Sequence, residues 1–362
     1  AAADWSAAPD PPAEPAPAMK LPLRLPLGTD SSITWVAPLG PTRHVVLIGD
    51  APGGGDQFIG LDTATGRTLP PFRGDLKVYG GNDKVAPSAD GTLLAFVGRP
   101  PGGDYGVGVV SLKERRPIGE FTLPQGLFRF TPQVVFLGSD TLAVLGDNDG
   151  GDGSVIATYH ARTREPGWML RGVACDEDGP RALSPGGRYL AVNCSDRGFA
   201  ALVIDTTSGA VVGQAPGDPV GGLAFSGDGA QLAGVSTDGK RLTVWRMSDG
   251  AAVSEVAVDA ERGGGLAWIG AGPYVWMAEQ YVVDSRSGAV IERRPWPVSY
   301  RWEYGPRLAS DAATLNVVKE DRAGRTHYTL EAQPLDTARL AEASELIAAG
   351  GDQAEAGLPE PR

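Results

Sequence analysis

A strand-turn-strand unit recurs along nearly the whole chain, and no other feature limits the possible fold so tightly. It is plainest in Leu223-Ala-Phe-Ser-Gly-Asp-Gly-Ala-Gln-Leu-Ala-Gly-Val-Ser-Thr-Asp-Gly-Lys-Arg-Leu-Thr-Val-Trp-Arg-Met-Ser-Asp-Gly250. An apolar strand enters a Gly-Asp-Gly turn, and a second strand runs to Asp238-Gly239. A third ends on Val244-Trp245, and a fourth follows Asp249-Gly250. Four short strands in ~40–45 residues is a period that a stacked or circular repeat architecture imposes.

The first turn of each unit can be followed down the chain. The turns are Pro38-Leu-Gly-Pro41, Ser88-Ala-Asp-Gly91, Gly138-Ser-Asp140, Ser184-Pro-Gly-Gly187, Ser226-Gly-Asp-Gly229, Ile269-Gly-Ala-Gly272 and Ala309-Ser-Asp-Ala312. Their first residues stand 50, 50, 46, 42, 43 and 40 apart. This count predicts an all-β, seven-bladed β-propeller. The extra length of the early units is glycine-rich loop, as in Ala51-Pro-Gly-Gly-Gly-Asp56 and Arg99-Pro-Pro-Gly-Gly-Asp104. Such insertions are tolerated because closure entropy grows only with the logarithm of loop length.

The runs between turns read as strands. His44-Val-Val-Leu-Ile48, Leu93-Leu-Ala-Phe-Val97, Thr141-Leu-Ala-Val-Leu145 and Tyr189-Leu-Ala-Val192 are short and continuously apolar, as expected of strands covered on both faces. Third strands recur as Phe58-Ile-Gly-Leu-Asp-Thr-Ala-Thr-Gly66, Leu202-Val-Ile-Asp-Thr-Thr-Ser-Gly209 and Tyr281-Val-Val-Asp-Ser-Arg-Ser-Gly288. Each closes on Asp, Thr, Ser and Gly, which bond nearby backbone or take positive φ.

Ser184-Pro-Gly-Gly-Arg-Tyr-Leu-Ala-Val192 and Leu202-Val-Ile-Asp-Thr-Thr-Ser-Gly-Ala-Val-Val212 resemble the WD40 and YVTN-type propeller repeats of bacteria. Thr243-Val-Trp-Arg-Met247 is similar to the strand that carries Trp-Asp in a WD40 blade. The resemblance spans about residues 21–335 and departs from the family in two places. Arg246 stands where the family has Asp, and the Gly-His pair is missing, so the buried Asp-His-Ser network is not expected. One propeller fold hosts many activities, so the resemblance implies architecture and leaves function open.

Outside the repeats, residues 1–20 are an Ala/Pro tract with no pattern to bury and read as an extended linker. Blade 7 offers Arg307-Leu-Ala309, Thr314–Lys319 and Thr326–Ala332 but no fourth strand. Leu21-Pro-Leu-Arg-Leu-Pro-Leu27 precedes blade 1 and has no home of its own. Pairing the two predicts a ring closed by an N-terminal strand. Residues 336–350 predict a short C-terminal helix, with Asp336 or Thr337 as cap, Gly350-Gly351 as stop, and Leu340, Ala343, Leu346 and Ile347 on one face. The tail 351–362 carries no pattern.

Several observations point outside the cytoplasm. The chain opens on Ala1 rather than Met, which leads us to expect a removed signal peptide, lipid anchor or membrane helix. No run of 18 apolar residues is present in the chain to span a bilayer. Cys175 and Cys194 both fall in the fourth unit. A hairpin turning at Pro185-Gly186 sets Cys194 opposite about residue 178, close enough for a short loop to bring Cys175 to it. We therefore expect a Cys175–Cys194 disulfide and an extracytoplasmic location.

Charge and motifs narrow the chemistry. Asp and Glu number 44 against 32 Lys and Arg, a net charge of −12 without a basic stripe, which argues against nucleic acid as partner. The three histidines, His44, His160 and His327, fall in three units. There is no His-Glu-x-x-His, Gly-x-Ser-x-Gly or Cys-x-x-Cys. Ser236-Thr-Asp-Gly misses a sialidase-type Asp box by one position. Asp147-Asn-Asp-Gly-Gly-Asp-Gly153 is the candidate Ca²⁺ loop, with Asp147, Asp149 and Asp152 as oxygen ligands. It competes with a plain acidic turn, since Asp152 is one place late and no Glu follows at twelve.

The segment between units six and seven, Glu292-Arg-Arg-Pro-Trp-Pro-Val-Ser-Tyr-Arg-Trp-Glu-Tyr304, gathers Trp296, Tyr300, Arg301, Trp302 and Tyr304. These types dominate binding hot spots, though they could equally fill a gap between two irregular blades. Two functional classes follow. One is a non-catalytic binding or scaffold propeller, the outer part of an anchored protein or sensor, that holds a protein or glycan on its loop face. The other is a propeller hydrolase or lactonase with a metal in the central channel.

Overall fold

A computed structural model of the chain describes residues 57–62, 65, 67, 70, 84–98, 105–147, 153–173, 181–193, 199–218, 220–258, 265–293 apart from 271, 278 and 279, and 335–349. It adds the strand backbone at 23–24, 32–38, 43–49, 68, 72–73, 307–308, 314–320 and 328–334. Among the described residues the chain is all-β with one short helix.

Among the described residues the strands form seven antiparallel sheets, taken in chain order. After β1 (Leu23–Arg24), the first sheet holds β2 (Ser32–Pro38), β3 (Arg43–Gly49), β4 (Gln57–Asp62) and two fragments, β5 (Arg67–Thr68) and β6 (Phe72–Arg73). The second holds β7 (Val85–Pro87), β8 (Leu93–Gly98), β9 (Gly106–Ser111) and β10 (Arg116–Thr122). The third is β11 (Gln133–Phe136), β12 (Thr141–Asp147), β13 (Ser154–His160) and β14 (Pro166–Val173). The fourth is β15 (Arg181–Leu183), β16 (Tyr189–Asn193), β17 (Phe199–Asp205) and β18 (Val211–Pro216). The fifth is β19 (Val220–Phe225), β20 (Gln231–Ser236), β21 (Arg241–Arg246) and β22 (Ala252–Ala257). The sixth is β23 (Leu266–Ile269), β24 (Tyr274–Met277), β25 (Tyr281–Asp284) and β26 (Val290–Arg293). The last holds β27 (Arg307–Leu308), β28 (Thr314–Glu320) and β29 (Tyr328–Pro334), then α1 (Thr337–Ala348) follows.

The last sheet draws on both ends of the chain. β1 pairs with β29, Leu23 opposite Leu330 and Arg24 opposite Thr329, the partnership expected for the orphan N-terminal fragment. In the first sheet the fourth strand is broken. β5 and β6 both pair with β4, at Leu61 and Phe58 respectively, and Pro70-Pro71 lies between them in sequence. Proline has no N–H for a ladder, which accounts for the interruption.

Short turns set the hairpin register. In the fourth sheet Arg181, Ala182 and Leu183 face Val192, Ala191 and Leu190, in the register the Pro185-Gly186 turn predicts. Third-to-fourth strand turns share one corner. Gly209, Gly250 and Gly288 sit there at φ of +72°, +68° and +75°, and each amide bonds the carbonyl four residues back. In the second and third sheets Arg115 and Arg164 take the same corner at +55° and +67°, a conformation that costs a side chain about 1–2 kcal/mol.

Burial explains why the middle strands are continuously apolar. Every residue of β8 and β16 is buried, whereas β22 alternates between exposed and half-buried along the outside. Among the described residues, core clusters lie between consecutive sheets and, for the sixth sheet, beneath the helix. One joins the second and third sheets through Val107, Val109, Val144 and Tyr159, another the fourth and fifth through Tyr189, Ala215, Leu232 and Trp245. A third joins the fifth and sixth through Val244, Val258, Trp268 and Met277. First strands of successive sheets also meet, β7 with β11, β15 with β19 and β19 with β23.

The helix sits on the sixth sheet. Asp336 caps it, accepting from the amides of Ala338 and Arg339 at 3.1 Å each. Leu340 and Ala343 pack among Ile269, Trp276 and Ile291. Leu346, expected on the same face, is exposed, and Ser344 takes its place in the buried stripe. At 100° per residue, 340, 343, 344 and 347 cluster while 346 is turned away.

Candidate functional site

Antiparallel order within a sheet fixes which loops share an end. Turns from second to third strand and connections from fourth strand to the next sheet fall together. Turns from first to second and from third to fourth fall at the other end. Of the recurrent turns, Ser-x-Asp-Gly is the most tightly built. In Ser226-Gly-Asp-Gly229 the Ser226 hydroxyl donates to Asp228 Oδ1 at 2.6 Å, accepts the Gln231 amide, and Asp228 takes the Ala230 amide. Ser88–Gly91 repeats this, with Thr92 donating to Asp90 from both amide and hydroxyl. Ser236–Gly239, the near-miss for an Asp box, folds the same way at the opposite end of the fifth sheet. Partial burial alone would raise the pKa of Asp90 and Asp228, but these hydrogen bonds outweigh it and both lie below the ordinary value. For Asp238 the Ser236 hydroxyl is the main cause of the same downward shift.

A cavity of about 240 Å³ opens at the seam of the fourth and fifth sheets. The connection Gly217-Asp218 and the strand ends at Ser236 and Arg241 form its mouth. Ala200, Pro216, Val220, Ala252 and Trp245 supply apolar lining, with Thr243 and Glu255 beside them. Trp245 is 1% exposed, and its Nε1–H has no acceptor among the described residues. By contrast Trp168 donates to Thr206 O at 2.8 Å and Trp268 to Gly272 O at 2.6 Å. Trp245 is therefore held by packing. Gly234 leaves it the room, since a Cβ there would stand 2.8 Å from Trp245 Cζ3.

Arg241 crosses the mouth. Its guanidinium binds Asp218 through Nη2, and Nη1 lies 3.7 Å from Glu255 Oε1. All three side chains are largely exposed, so each pair contributes at most about 1 kcal/mol of stability. Beyond Arg241 a second, wider cavity of about 570 Å³ shares Asp218, Ser236, Arg241 and Glu255 and adds Asp238 and Lys240. The two spaces thus adjoin along these four residues.

A second exposed feature belongs to a connection of the same class, between β10 and β11. Leu127 and Phe128 are buried there, while Phe130 is 45% exposed. The Arg129 guanidinium lies 5.1 Å from the Phe130 ring centre. The Arg129 amide bonds Asp147 O, and the Lys84 ammonium donates to Thr131 O at 3.0 Å. These bonds tie the segment to its neighbours.

Trp296, Tyr300, Arg301, Trp302 and Tyr304 lie outside the described residues, as do Cys175 and Cys194. Of the candidate Ca²⁺ ligands, Asp147 ends β12 and its Oδ1 accepts the Ser154 hydroxyl at 3.1 Å; Asp149 and Asp152 lie outside the described residues. Among the described residues no three His, Cys, Asp or Glu side chains converge as a metal site, and no helix is long and apolar enough to cross a membrane. No protein-family model matches the chain, and no curated protein matches it.

The cavity residues escaped sequence reasoning. Trp245 stands out in the repeat, but Arg241 and Glu255 read as ordinary turn-flanking charges. Their proximity follows from register: Glu255 faces Thr243 and Arg241 faces Ala257, which makes the two diagonal neighbours. Asp218 comes from a different unit, and no local signal links it to Arg241.

Proposed function

We propose that this chain is a non-catalytic recognition or scaffold propeller of seven blades, working outside the cytoplasm and holding a protein or glycan partner on one loop face. Seven consecutive antiparallel sheets with cores between neighbours support the blade count. The pairing of β1 with β29 supports closure of the ring by the N-terminal strand. Kinship with WD40 and YVTN-type repeats rests on the quoted motifs. The extracytoplasmic reading rests on the expected Cys175–Cys194 disulfide.

The observation that carries the reading is the cavity between the fourth and fifth sheets. It opens at the end where second-to-third turns meet fourth-to-first connections. Phe130 with Arg129 belongs to the same class of connection, and by chain order so does the segment with Trp296, Tyr300, Arg301 and Trp302. Rigid strands would fix these anchors while longer loops at 51–56, 99–104 and 147–153 adapt around them. The test is site-specific photo-crosslinking in envelope extracts of the source cell. A photoreactive residue replacing Phe130 should trap a partner, and one at Thr207, on a third-to-fourth turn, should not. Equal trapping at both positions, or none at Phe130, overturns the assignment of the face.

A further inference from the structure

We propose that the cavity between the fourth and fifth sheets, with the wider space beside it, is a cleft for a neutral hexopyranose ring of a glycan; this rests on the recognition-face reading above and decides between its two kinds of partner. At about 240 Å³ the cavity falls below the roughly 300–1,000 Å³ of sites that enclose a whole drug-sized ligand, so it takes one ring rather than a chain. The adjoining space of about 570 Å³ gives the chain room to run on from that ring. The lining mixes two kinds of surface. Pro216, Val220 and Ala252 present carbon, while Asp218, Arg241, Thr243 and Glu255 present hydrogen-bonding groups. A pyranose has the same duality, with C–H groups on its faces and hydroxyls around its rim.

The polar groups stand preorganised. The turn Ser236–Gly239 fixes the backbone that follows it: the Lys240 amide donates to Asp238 Oδ1 and the Arg241 amide to Ser236 Oγ, each at 3.0 Å. Asp218, from the connection between the sheets, accepts a hydrogen bond from Nη2 of the Arg241 guanidinium. A side chain held at both root and tip loses little freedom when a ligand arrives. Its bonding capacity is not used up. A guanidinium carries five N–H donors and a carboxylate about four acceptor positions. Asp218 engages one N–H, and Glu255 Oε1, 3.7 Å from Nη1, is too far for a hydrogen bond. The two carboxylates are 74% and 58% exposed, so donors and acceptors stand side by side with positions open. Two neighbouring hydroxyls can donate to a carboxylate and accept from the guanidinium while the ion pair stays intact. A cation would have to displace Arg241 from Asp218, and an anion would have to displace Asp218 from Arg241. A neutral polyol needs neither step, and its bonds to charged groups are of the stronger kind.

The experiment uses the purified chain with the methyl glycosides of glucose, galactose and mannose. Cyclohexanol, acetate and acetyl-Gly-Arg-Gly-amide serve as comparison probes. The readout is NMR saturation transfer from protein to probe protons, titrated to a dissociation constant. At least one glycoside should give saturable transfer, and cyclohexanol, a ring without neighbouring hydroxyls, none. Neither acetate nor the Arg peptide should displace the bound sugar. Arg241→Gln should weaken that sugar about tenfold, which is about 1.4 kcal/mol. Ala252→Phe, at an exposed position on β22, should abolish the transfer by filling the cavity while the melting temperature holds. The proposal is overturned by no saturable transfer from any of the three glycosides, by equal transfer to cyclohexanol, by displacement with acetate or the peptide, or by the parent's affinity in either folded variant. If crosslinking at Phe130 traps a partner while the glycosides fail, the cleft alone is wrong; if a glycoside binds here and Phe130 traps nothing, the cleft stands and the wider face reading falls.

Discussion

Replacing Ser344 by alanine tests how the C-terminal helix is held. Ser344 is buried on α1, and its hydroxyl donates to Asp284 Oδ2 at 2.6 Å across 60 residues of sequence. Asp284 is 1% exposed at the end of β25. It also accepts Arg286 through Nη2 at 2.6 Å, Nε at 3.0 Å and the backbone amide at 2.8 Å. In Ser344→Ala the carboxylate keeps Arg286, so no buried charge is orphaned. What disappears is one hydrogen bond to a charged group, worth about 1.5–3 kcal/mol. The better helix propensity of alanine returns up to about 0.5 kcal/mol. The net loss should be about 1–2.5 kcal/mol, and it should fall on the helix first. Amide hydrogen exchange of residues 337–348 should then quicken by about 5- to 60-fold, at 1.4 kcal/mol per factor of ten. Ser344→Thr, which keeps the hydroxyl, should stay much closer to the parent. The same bond predicts an acid response. Burial alone would raise the Asp284 pKa, but Arg286 and Ser344 outweigh it and hold it below the ordinary value. A depressed folded pKa contributes stability that is complete above the unfolded value, about 3.9, and is lost as pH falls through the folded value. Helix protection should therefore decay below about pH 4, and less steeply in Ser344→Ala. Exchange within twofold of the parent in Ser344→Ala would refute the latch.

Gly234→Ala should destabilise the chain by about 1–3 kcal/mol in urea unfolding, because the new Cβ would stand 2.8 Å from Trp245 Cζ3 and 2.9 Å from Val220 Cγ1. A smaller penalty in the Trp245→Phe background would confirm the ring as the obstacle, and an unchanged midpoint for Gly234→Ala would dismiss it. Deleting residues 1–27 removes the partner of β29 and should lower the melting temperature by several degrees, at roughly 2–4 °C per kcal/mol; an unchanged melt would refute ring closure by the N-terminus. Thiol titration of the denatured, unreduced protein should find no free thiol, as a Cys175–Cys194 bond requires, and two titratable thiols would sink it together with much of the extracytoplasmic reading.

The features legible along the chain are local ones. Ser226, Asp228 and Gly229 complete their turn within five residues, so the turn chemistry can be read as a motif. A tight turn sets the register of its hairpin, which is why the pairing of Arg181 with Val192 follows from Pro185-Gly186. Continuous apolar runs such as Leu93–Val97 announce strands covered on both sides, and Asp336 announces a helix start. The candidate cavity was not legible, because its parts come from separate units and meet only when two sheets pack. Nothing near Asp218 in sequence distinguishes it from other turn acids, and Arg241 finds it only across the seam. Asp284 likewise reads as the Asp of an Asp-Ser-Arg-Ser-Gly turn; only the seat of α1 on the sixth sheet brings Ser344 to it and leaves Leu346 exposed. Hydrogen bonds within a turn are dictated by a few neighbouring residues and survive in any context. Contacts between sheets depend on the angle and offset of packed surfaces, which every side chain of both faces sets together.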